Sequence, residues 1–244
     1  MKMIASTKVT KAQRNMENAR VFGSSAVSIF KHAETETSTG PKPLIVVISS
    51  DRGLCGGIHT SVSKNAKHYL AEKPEGSLAI IGLKARAQLQ RENRASIAIT
   101  FDQVAKNVPT WNEASLIASS ILESGIKFDG IHIIYNKFKS VIQFDTSTLD
   151  LPTEETFAAS PKISAYETEE PALKSFDEFT LANSIYWTLS EGYASEMAAK
   201  RTAMENATKN ADEMIQKLTL TYNRSRQATI TNELIDIIVG ASAM

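Results

Sequence analysis

Cysteine occurs only once in the 244 residues, at Cys55, which excludes an intramolecular disulfide and a metal site made of cysteines alone. Net charge is also absent, since 27 Lys and Arg balance 27 Asp and Glu, so the composition shows no bias toward nucleic acid or an anionic membrane. The longest apolar stretches, such as 44–48, fall far short of the ~20 residues of a membrane span, and no apolar signal segment opens the chain. These features are typical of a soluble protein from a disulfide-poor compartment.

Glycine and proline are distributed unevenly, which divides the chain into three segments. The first 22 residues contain no glycine, no proline follows Pro171, and the turn residues cluster between Gly40 and Pro171. The sequence therefore predicts an N-terminal helix at 1–35, a mixed domain at 43–170 and a very long C-terminal helix at 175–244. Ser175 and Glu178 have the spacing of a capping box, which predicts that the last helix begins there.

Two stripes of mostly small or apolar residues recur at alternating spacings of three and four, a period typical of supercoiled helices. The first stripe is Ala5, Val9, Ala12, Met16, Ala19, Gly23, Ala26 and Phe30. The second is Tyr193, Met197, Lys200, Met204, Ala207, Ala211, Met214 and Leu218. Because the first helix is basic, the last is acidic and both flank one domain, we expect an antiparallel coiled coil.

The middle segment alternates strand and helix patterns, which predicts a mostly parallel sheet covered on both faces. The expected strands are Leu44–Ser49, Leu78–Ile81, Ile97–Thr100 and Ile131–Tyr135, with an antiparallel edge strand at Val141–Thr148. The expected helices are Ile58–Ala71 and Trp111–Ser124. The fold class is thus α/β, with a long antiparallel coiled coil of the N- and C-terminal helices and a Rossmann-like α/β domain.

A glycine-rich loop, Ser49–Gly57, follows the first expected strand, where doubly wound folds bind ligands. It contains no lysine and matches neither the Walker pattern nor Gly-x-Gly-x-x-Gly, so a tight strand-to-helix turn is favoured over a nucleotide site. Cys55 with His59 could form a nucleophile and base, but a packed thiol and a solvated histidine are favoured. The remaining histidines have no metal-site spacing. The sequence therefore predicts no catalytic residue, metal or cofactor.

The C-terminus combines a polar band with an apolar end. Arg224, Arg226, Gln227, Thr229 and Thr231 form the band, and a guanidinium beside amide and hydroxyl groups suits the carboxylates of a partner. The apolar tip, residues 234–244, carries no charge after Asp236. An exposed apolar end is a liability unless another protein receives it, so a partner is expected here.

The sequence resembles the gamma subunit of ATP synthase along its whole length, and mitochondrial fungal members most closely. The segment 230–243 resembles the family's C-terminal signature, and Tyr222–Ala228, Met1–Lys8 and the loop Ser50–Gly57 fit the same family. In that family the N-terminal helix begins earlier, so a preceding segment is expected. Two regulatory cysteines of the chloroplast kind are not present.

The resemblance implies a non-catalytic central-stalk subunit that couples proton transport to ATP synthesis at the matrix side of the mitochondrial inner membrane. It implies that Arg226, Gln227 and Thr231 form a catch for acidic loop residues of the beta subunit. It also implies that the tip turns in an apolar sleeve of the alpha and beta subunits, and that the α/β domain contacts the delta and epsilon subunits and the membrane ring of c subunits. The tip residues concerned are Leu234, Ile235, Ile237, Ile238 and Val239.

Two other classes of function compete with this interpretation. A small-molecule enzyme would use the doubly wound domain for chemistry and the helical arms for dimerisation. A coiled-coil scaffold would use the N-terminal stripe for self-association. Neither explains an apolar tip beside a polar band.

Overall fold

The computed structural model describes residues 2–35, 40–163, 166 and 170–243. The chain forms two compact units, Met1–Thr202 and Ala203–Met244. The three-segment division made from the sequence stays a prediction. None of the helices in the described ranges is both long enough and apolar enough to cross a membrane.

The first unit contains five strands and most of the helical segments. The strands are β1 (Pro43–Ile48), β2 (Ser77–Ile81), β3 (Ile97–Phe101), β4 (Gly130–Phe138) and β5 (Phe144–Leu151). The helices are α1 (Lys2–His32), α2 (Ile58–Glu72), α3 (Leu83–Leu89), α4 (Trp111–Glu123), α5 (Glu154–Ala158) and α6 (Glu170–Ser242). The short helices α3 and α5 are absent from the sequence prediction because each is too short to show a clear helical period.

The sheet has the order β3-β2-β1-β4-β5, in which only β5 runs antiparallel to its neighbour. This confirms the Rossmann-like α/β fold class. The chain leaves β1 first toward β2 and β3 and later returns to β4 on its other side, so the direction of winding reverses between β1 and β4. The antiparallel strand begins at Phe144 rather than Val141, because the backbone N–H groups of Lys139 and Ser140 bond the carbonyl of Gln143 in a tight turn.

Helices cover both faces of the sheet, which explains why β1 is buried at every position. One face packs against α1, α4 and α6 through side chains such as Phe30, Ile121 and Ile185. The other face packs against α2 and α3 through Val62 and Leu89. The long helices are therefore anchored on one side of the sheet and the pair α2–α3 on the other.

Helices α1 and α6 run antiparallel in the first unit, as predicted. The side chain of Asn183 donates to the carbonyl of Phe22, and the side chain of Asn15 donates to the hydroxyl of Ser190. The residue number thus falls along α1 as it rises along α6.

The expectation that the last helix begins at a capping box was wrong. Helix α6 begins at Glu170, so Ser175 and Glu178 already lie within the helix. Pro171 falls in the first turn, where a missing N–H removes no helical hydrogen bond. Pro171 therefore stands at the start of the helix rather than before it.

The second unit is the continuation of α6 through Ala203–Met244. From Asn206 onward, every described side chain is largely exposed. The second stripe is buried at Tyr193 and Met197, but Met214 and Leu218 are more than 60% exposed. The half of the stripe in this unit therefore presents an uncovered surface.

Candidate functional site

The α1 stripe packs closely against α6, and small residues make this possible. Ala5, Val9, Ala12, Met16 and Ala19 are at most 6% exposed. A Cβ atom placed on Gly23 would lie 2.6 Å from the side chain of Trp187, so only glycine fits the observed spacing of the two helices there. Because α6 already covers this stripe, the scaffold hypothesis of self-association through it loses support.

A buried carboxylate joins both long helices to the sheet. Glu191, whose side chain is fully buried, accepts from Nε and Nη2 of Arg20 at 2.6 and 3.0 Å. It also accepts from the backbone N–H of Phe138 at 2.9 Å and from the indole of Trp187 at 3.3 Å. The hydrogen bond to Glu191 raises the pKa of Arg20. One carboxylate thus connects α1, α6 and the end of β4.

In the glycine-rich loop, Asp51 forms hydrogen bonds with two other connections of the sheet. Asp51 accepts from the backbone N–H groups of Leu83 and Gln103, both at 2.7 Å, and so joins the connections that follow β1, β2 and β3. Leu54 and Gly56 have φ angles of 62°, a left-handed conformation that is unfavourable for leucine. The expectation of a tight strand-to-helix turn is consistent with this geometry.

Arg52 connects the same loop to α6. Its guanidinium lies 4.0 Å from a carboxylate oxygen of Glu196 and 5.8 Å from the ring centre of Tyr193. Burial raises the pKa of Glu196, while the charge of Arg52 and a hydrogen bond from Ser50 act in the opposite direction. A second acidic residue of α6 therefore attaches the helix to the carboxyl edge of the sheet.

Helix α6 fills the crevice in which a doubly wound enzyme would bind its ligand. The cavity at the carboxyl ends of β1 and β4, bordered by Ser49, His59, Tyr193 and Glu196, has a volume of about 20 Å³. That is room for roughly one water molecule, whereas small-molecule sites measure about 300–1,000 Å³. The small-molecule enzyme hypothesis therefore gains no support at this crevice.

Cys55 is a packed thiol, as expected, but His59 is not a solvated side chain. Burial, with the neighbouring Glu196, raises the pKa of Cys55 to about 12. His59 shares hydrogen bonds of 2.9 Å with the hydroxyl of Ser49 and the carbonyl of Arg52, and burial lowers its pKa. The prediction failed for His59 because the loop folds back over α2 and covers the ring. Both ring nitrogens of His59 form hydrogen bonds with residues of the loop. Cys55 lies before the first turn of α2.

The predicted catch residues lie on the exposed helix of the second unit. Arg226, Gln227 and Thr231 are all exposed, and the hydroxyl of Thr231 donates to the carbonyl of Gln227 at 2.8 Å. Gln227 and Thr231 thus share one face, one turn apart. Arg226 is adjacent and makes no ion pair within the described ranges.

The predicted tip residues are all exposed apolar side chains. Leu234 and Ile235 are 53% and 50% exposed, and Ile237, Ile238 and Val239 are 67%, 66% and 59% exposed. Large exposed apolar surfaces are common at interaction sites, so a partner at the tip stays a prediction.

A histidine–aspartate pair was not recognised from the sequence. Nδ1 of His132 on β4 bonds the carboxylate of Asp150 directly opposite on β5, and the ring stacks on Tyr69 at 3.7 Å between centres. The two residues are cross-strand partners, so correct strand register was the signal that could have found them. No group of three His, Cys, Asp or Glu side chains suited to a metal ion occurs in the part of the chain that the structure describes.

Comparison with known proteins identifies the family. The family described as ATP synthase matches residues 1–244. The mitochondrial ATP synthase gamma subunit of Pichia angusta is 44% identical over 247 residues, which span 100% of this chain and 91% of the relative. The gamma subunit of the rat mitochondrial F(1) complex is 42% identical over 253 residues, covering 100% and 92%.

Solved structures give the same result. A chain in the central stalk and c-ring structure of Tetrahymena thermophila mitochondrial ATP synthase is 28% identical, with a TM-score of 0.73 and coverage of 85% of this chain and 97% of that one. A chain of the Euglena gracilis mitochondrial ATP synthase, 20% identical with a TM-score of 0.74, covers 100% and 94% and shows the same fold. The protein whose two long helices, five-stranded sheet and apolar tip are described above therefore belongs to the gamma-subunit family of ATP synthase.

Proposed function

We propose that this chain is the central-stalk rotor subunit of a mitochondrial ATP synthase. In this role it transmits torque between the membrane rotor ring and the catalytic ring of alpha and beta subunits, and it performs no chemistry itself. The observation that carries the proposal is the second unit, a helix with exposed side chains that ends in an apolar surface. Family membership along the whole chain supports the same role.

Torque transmission depends on a shaft that is not symmetric about its long axis. A shaft of this kind presents different side chains to each surrounding catalytic subunit at any angle. Contacts that differ between the open and closed states of a partner shift the population of those states. Rotation of the shaft would thus change the states of the catalytic subunits in sequence.

The catch is proposed at Arg226, Gln227 and Thr231. An arginine fork can bond both oxygens of a carboxylate, and the neighbouring amide and hydroxyl add further donors. All three side chains are exposed, and Arg226 makes no ion pair in the described part of the chain, so it is available to acidic loop residues of the beta subunit.

The tip is proposed to sit in an apolar sleeve of the alpha and beta subunits. Burial of apolar surface contributes about 25 cal/mol per Å² and has no directional preference, so it can hold a helix in place while the helix turns. Leu234, Ile235, Ile237, Ile238 and Val239 supply that surface.

The α/β domain is proposed as the foot of the rotor. It would contact the delta and epsilon subunits and rest on the ring of c subunits, which places the chain peripherally at the matrix side of the mitochondrial inner membrane. The hydrogen bond from the backbone N–H of Phe138 to Glu191 and the ion pair Arg52–Glu196 support this role, because they attach the long helix to the end of β4 and to the loop after β1 in the domain that would carry the load.

Native mass spectrometry of the complex purified through a tag on this chain tests the proposal. The expected assembly contains a single copy of this chain with three alpha and three beta subunits. A homodimer, or a free monomer that binds a nucleotide, would refute the rotor assignment and favour the enzyme hypothesis instead.

A further inference from the structure

A groove of about 420 Å³ lies between α2 and α3, on the face of the sheet opposite the long helices. Four α2 residues that line it, Thr60, Ser63, Lys64 and Lys67, recur at helical spacing and so share one face of that helix. Ser63 and Ala87 are small, and the absence of a large side chain at these positions leaves the space open.

Positive charge is concentrated in this groove although the whole chain is neutral. Lys64, Lys67 and Arg91 line it together with one acid, Glu92. Lys67 pairs with Glu92 at 2.9 Å, whereas Lys64 and Arg91 make no ion pair with any described residue. Three cations against one carboxylate leave a local excess of two positive charges.

Ser63 lines the same groove but is itself buried. Ser63 is 2% exposed, and its Oγ makes no hydrogen bond to any described residue. That Oγ is out of reach of solvent, so it does not serve as a donor to a ligand in the groove. At the rim, the amide of Gln88 donates to the hydroxyl of Thr60 at 3.3 Å, a long bond that a better acceptor could replace.

We propose that the groove between α2 and α3 binds a phosphate group. The guanidinium fork of Arg91, the ammonium groups of Lys64 and Lys67 and the hydroxyl of Thr60 are groups that recognise the oxygens of a phosphate, and the charge excess disfavours cations. The phosphate could belong to a small molecule free in solution or to the headgroup of a lipid. The inference rests on α2 and α3 alone and is independent of the rotor assignment.

Two binding measurements on the full chain distinguish the sources. Isothermal titration calorimetry with inorganic phosphate tests a free anion, and flotation with phosphatidylcholine vesicles that carry phosphatidic acid tests a headgroup. Heat of binding with inorganic phosphate supports a small-molecule phosphate. Binding to the anionic vesicles alone supports a headgroup, and binding to neither overturns the proposal, even if an acidic peptide binds.

Matched variants connect the binding to the groove. Lys64→Gln and Arg91→Gln are each expected to weaken binding about tenfold, the loss of one charge-assisted hydrogen bond. Lys106→Gln, the same charge change at an exposed position outside the groove, is the control. Equal effects of Lys106→Gln and Lys64→Gln would overturn the site.

Discussion

The guanidinium of Arg20 meets the carboxylate of Glu191 side-on, with Nε 2.6 Å from one oxygen and Nη2 3.0 Å from the other. The two residues are 171 positions apart, on different long helices. Two parallel N–H bonds fix the direction as well as the distance of the contact, which resists both sliding and rotation of one helix against the other. In a shaft that transmits torque, this pair would keep α1 and α6 in register.

Arg20→Ala is expected to destabilise the chain by about 2–4 kcal/mol, because it leaves the buried carboxylate of Glu191 without its cation. The lower part of that range applies if water reaches Glu191, since the Arg20 side chain is 38% exposed. Urea unfolding of the full chain measures the change. Arg14→Ala, an exposed position on the same helix, should stay within about 0.5 kcal/mol. Equal losses in the two variants would contradict the special role of the pair.

Asp177→Asn is expected to stabilise the chain at neutral pH. Burial, and then the carboxylates of Glu154 and Glu178, raise the pKa of Asp177 from 3.8 to about 6. The folded state therefore holds its proton more tightly than the unfolded state, and stability is lost as the pH rises from about 4 through 6.

Thermal unfolding at several pH values checks this expectation. The difference between Asp177→Asn and the unchanged chain should be largest above pH 6 and should vanish below about pH 4. Asp212→Asn, an exposed position on the same helix, serves as the control. A constant difference across the whole pH range would contradict the assignment.

Cys55 is expected to react slowly with iodoacetamide in the folded chain. The thiolate is the reactive form, and a pKa of about 12 leaves very little of it at pH 8. Mass spectrometry of the alkylated protein should show slow labelling when folded and fast labelling in urea. Glu196→Gln should speed the reaction, because it removes a charge that disfavours the thiolate. Rapid labelling of the folded chain would mean that the loop opens readily.

Arg226→Ala is expected to lower the ATPase rate of the assembled complex while leaving the fold of this chain intact. The proposed contact is a charge-assisted hydrogen bond to an acidic partner, which contributes about 1.5–3 kcal/mol. ATP hydrolysis by purified complexes measures the effect. Lys217→Ala, another exposed cation on the same helix, is the matched control. Unchanged turnover in Arg226→Ala would remove the catch assignment.

Ile237→Lys is expected to weaken seating of the tip. A charge transferred into an apolar sleeve costs several kcal/mol unless it finds a partner. The fraction of this chain recovered with the alpha and beta subunits after salt washing measures the loss. Leu220→Lys, an equally exposed leucine before the tip, should have a smaller effect. Normal assembly of Ile237→Lys would argue against the sleeve.

The sequence by itself determined the elements that follow from repeated local patterns. The α1 stripe from Ala5 to Phe30 predicted its buried face, and the continuous apolar run at β1 predicted a strand covered on both sides. Such patterns can be read because burial selects side chains at a helical or strand period, which depends only on near neighbours in the chain. The C-terminal signature near Thr231 and Gly240 indicated the family by its resemblance to known members and not by a physical pattern.

Only the tertiary structure decided which polar side chains are buried together. Glu191 and Glu196 are indistinguishable in sequence from the exposed acids of α6, yet one joins Arg20 and the other Arg52. Ser63 likewise has the pattern of any polar position on α2, and only the approach of α3 makes it the floor of a groove. The physical reason is that these environments are created by elements far apart in the chain, which meet only when the sheet forms and the helices pack against it.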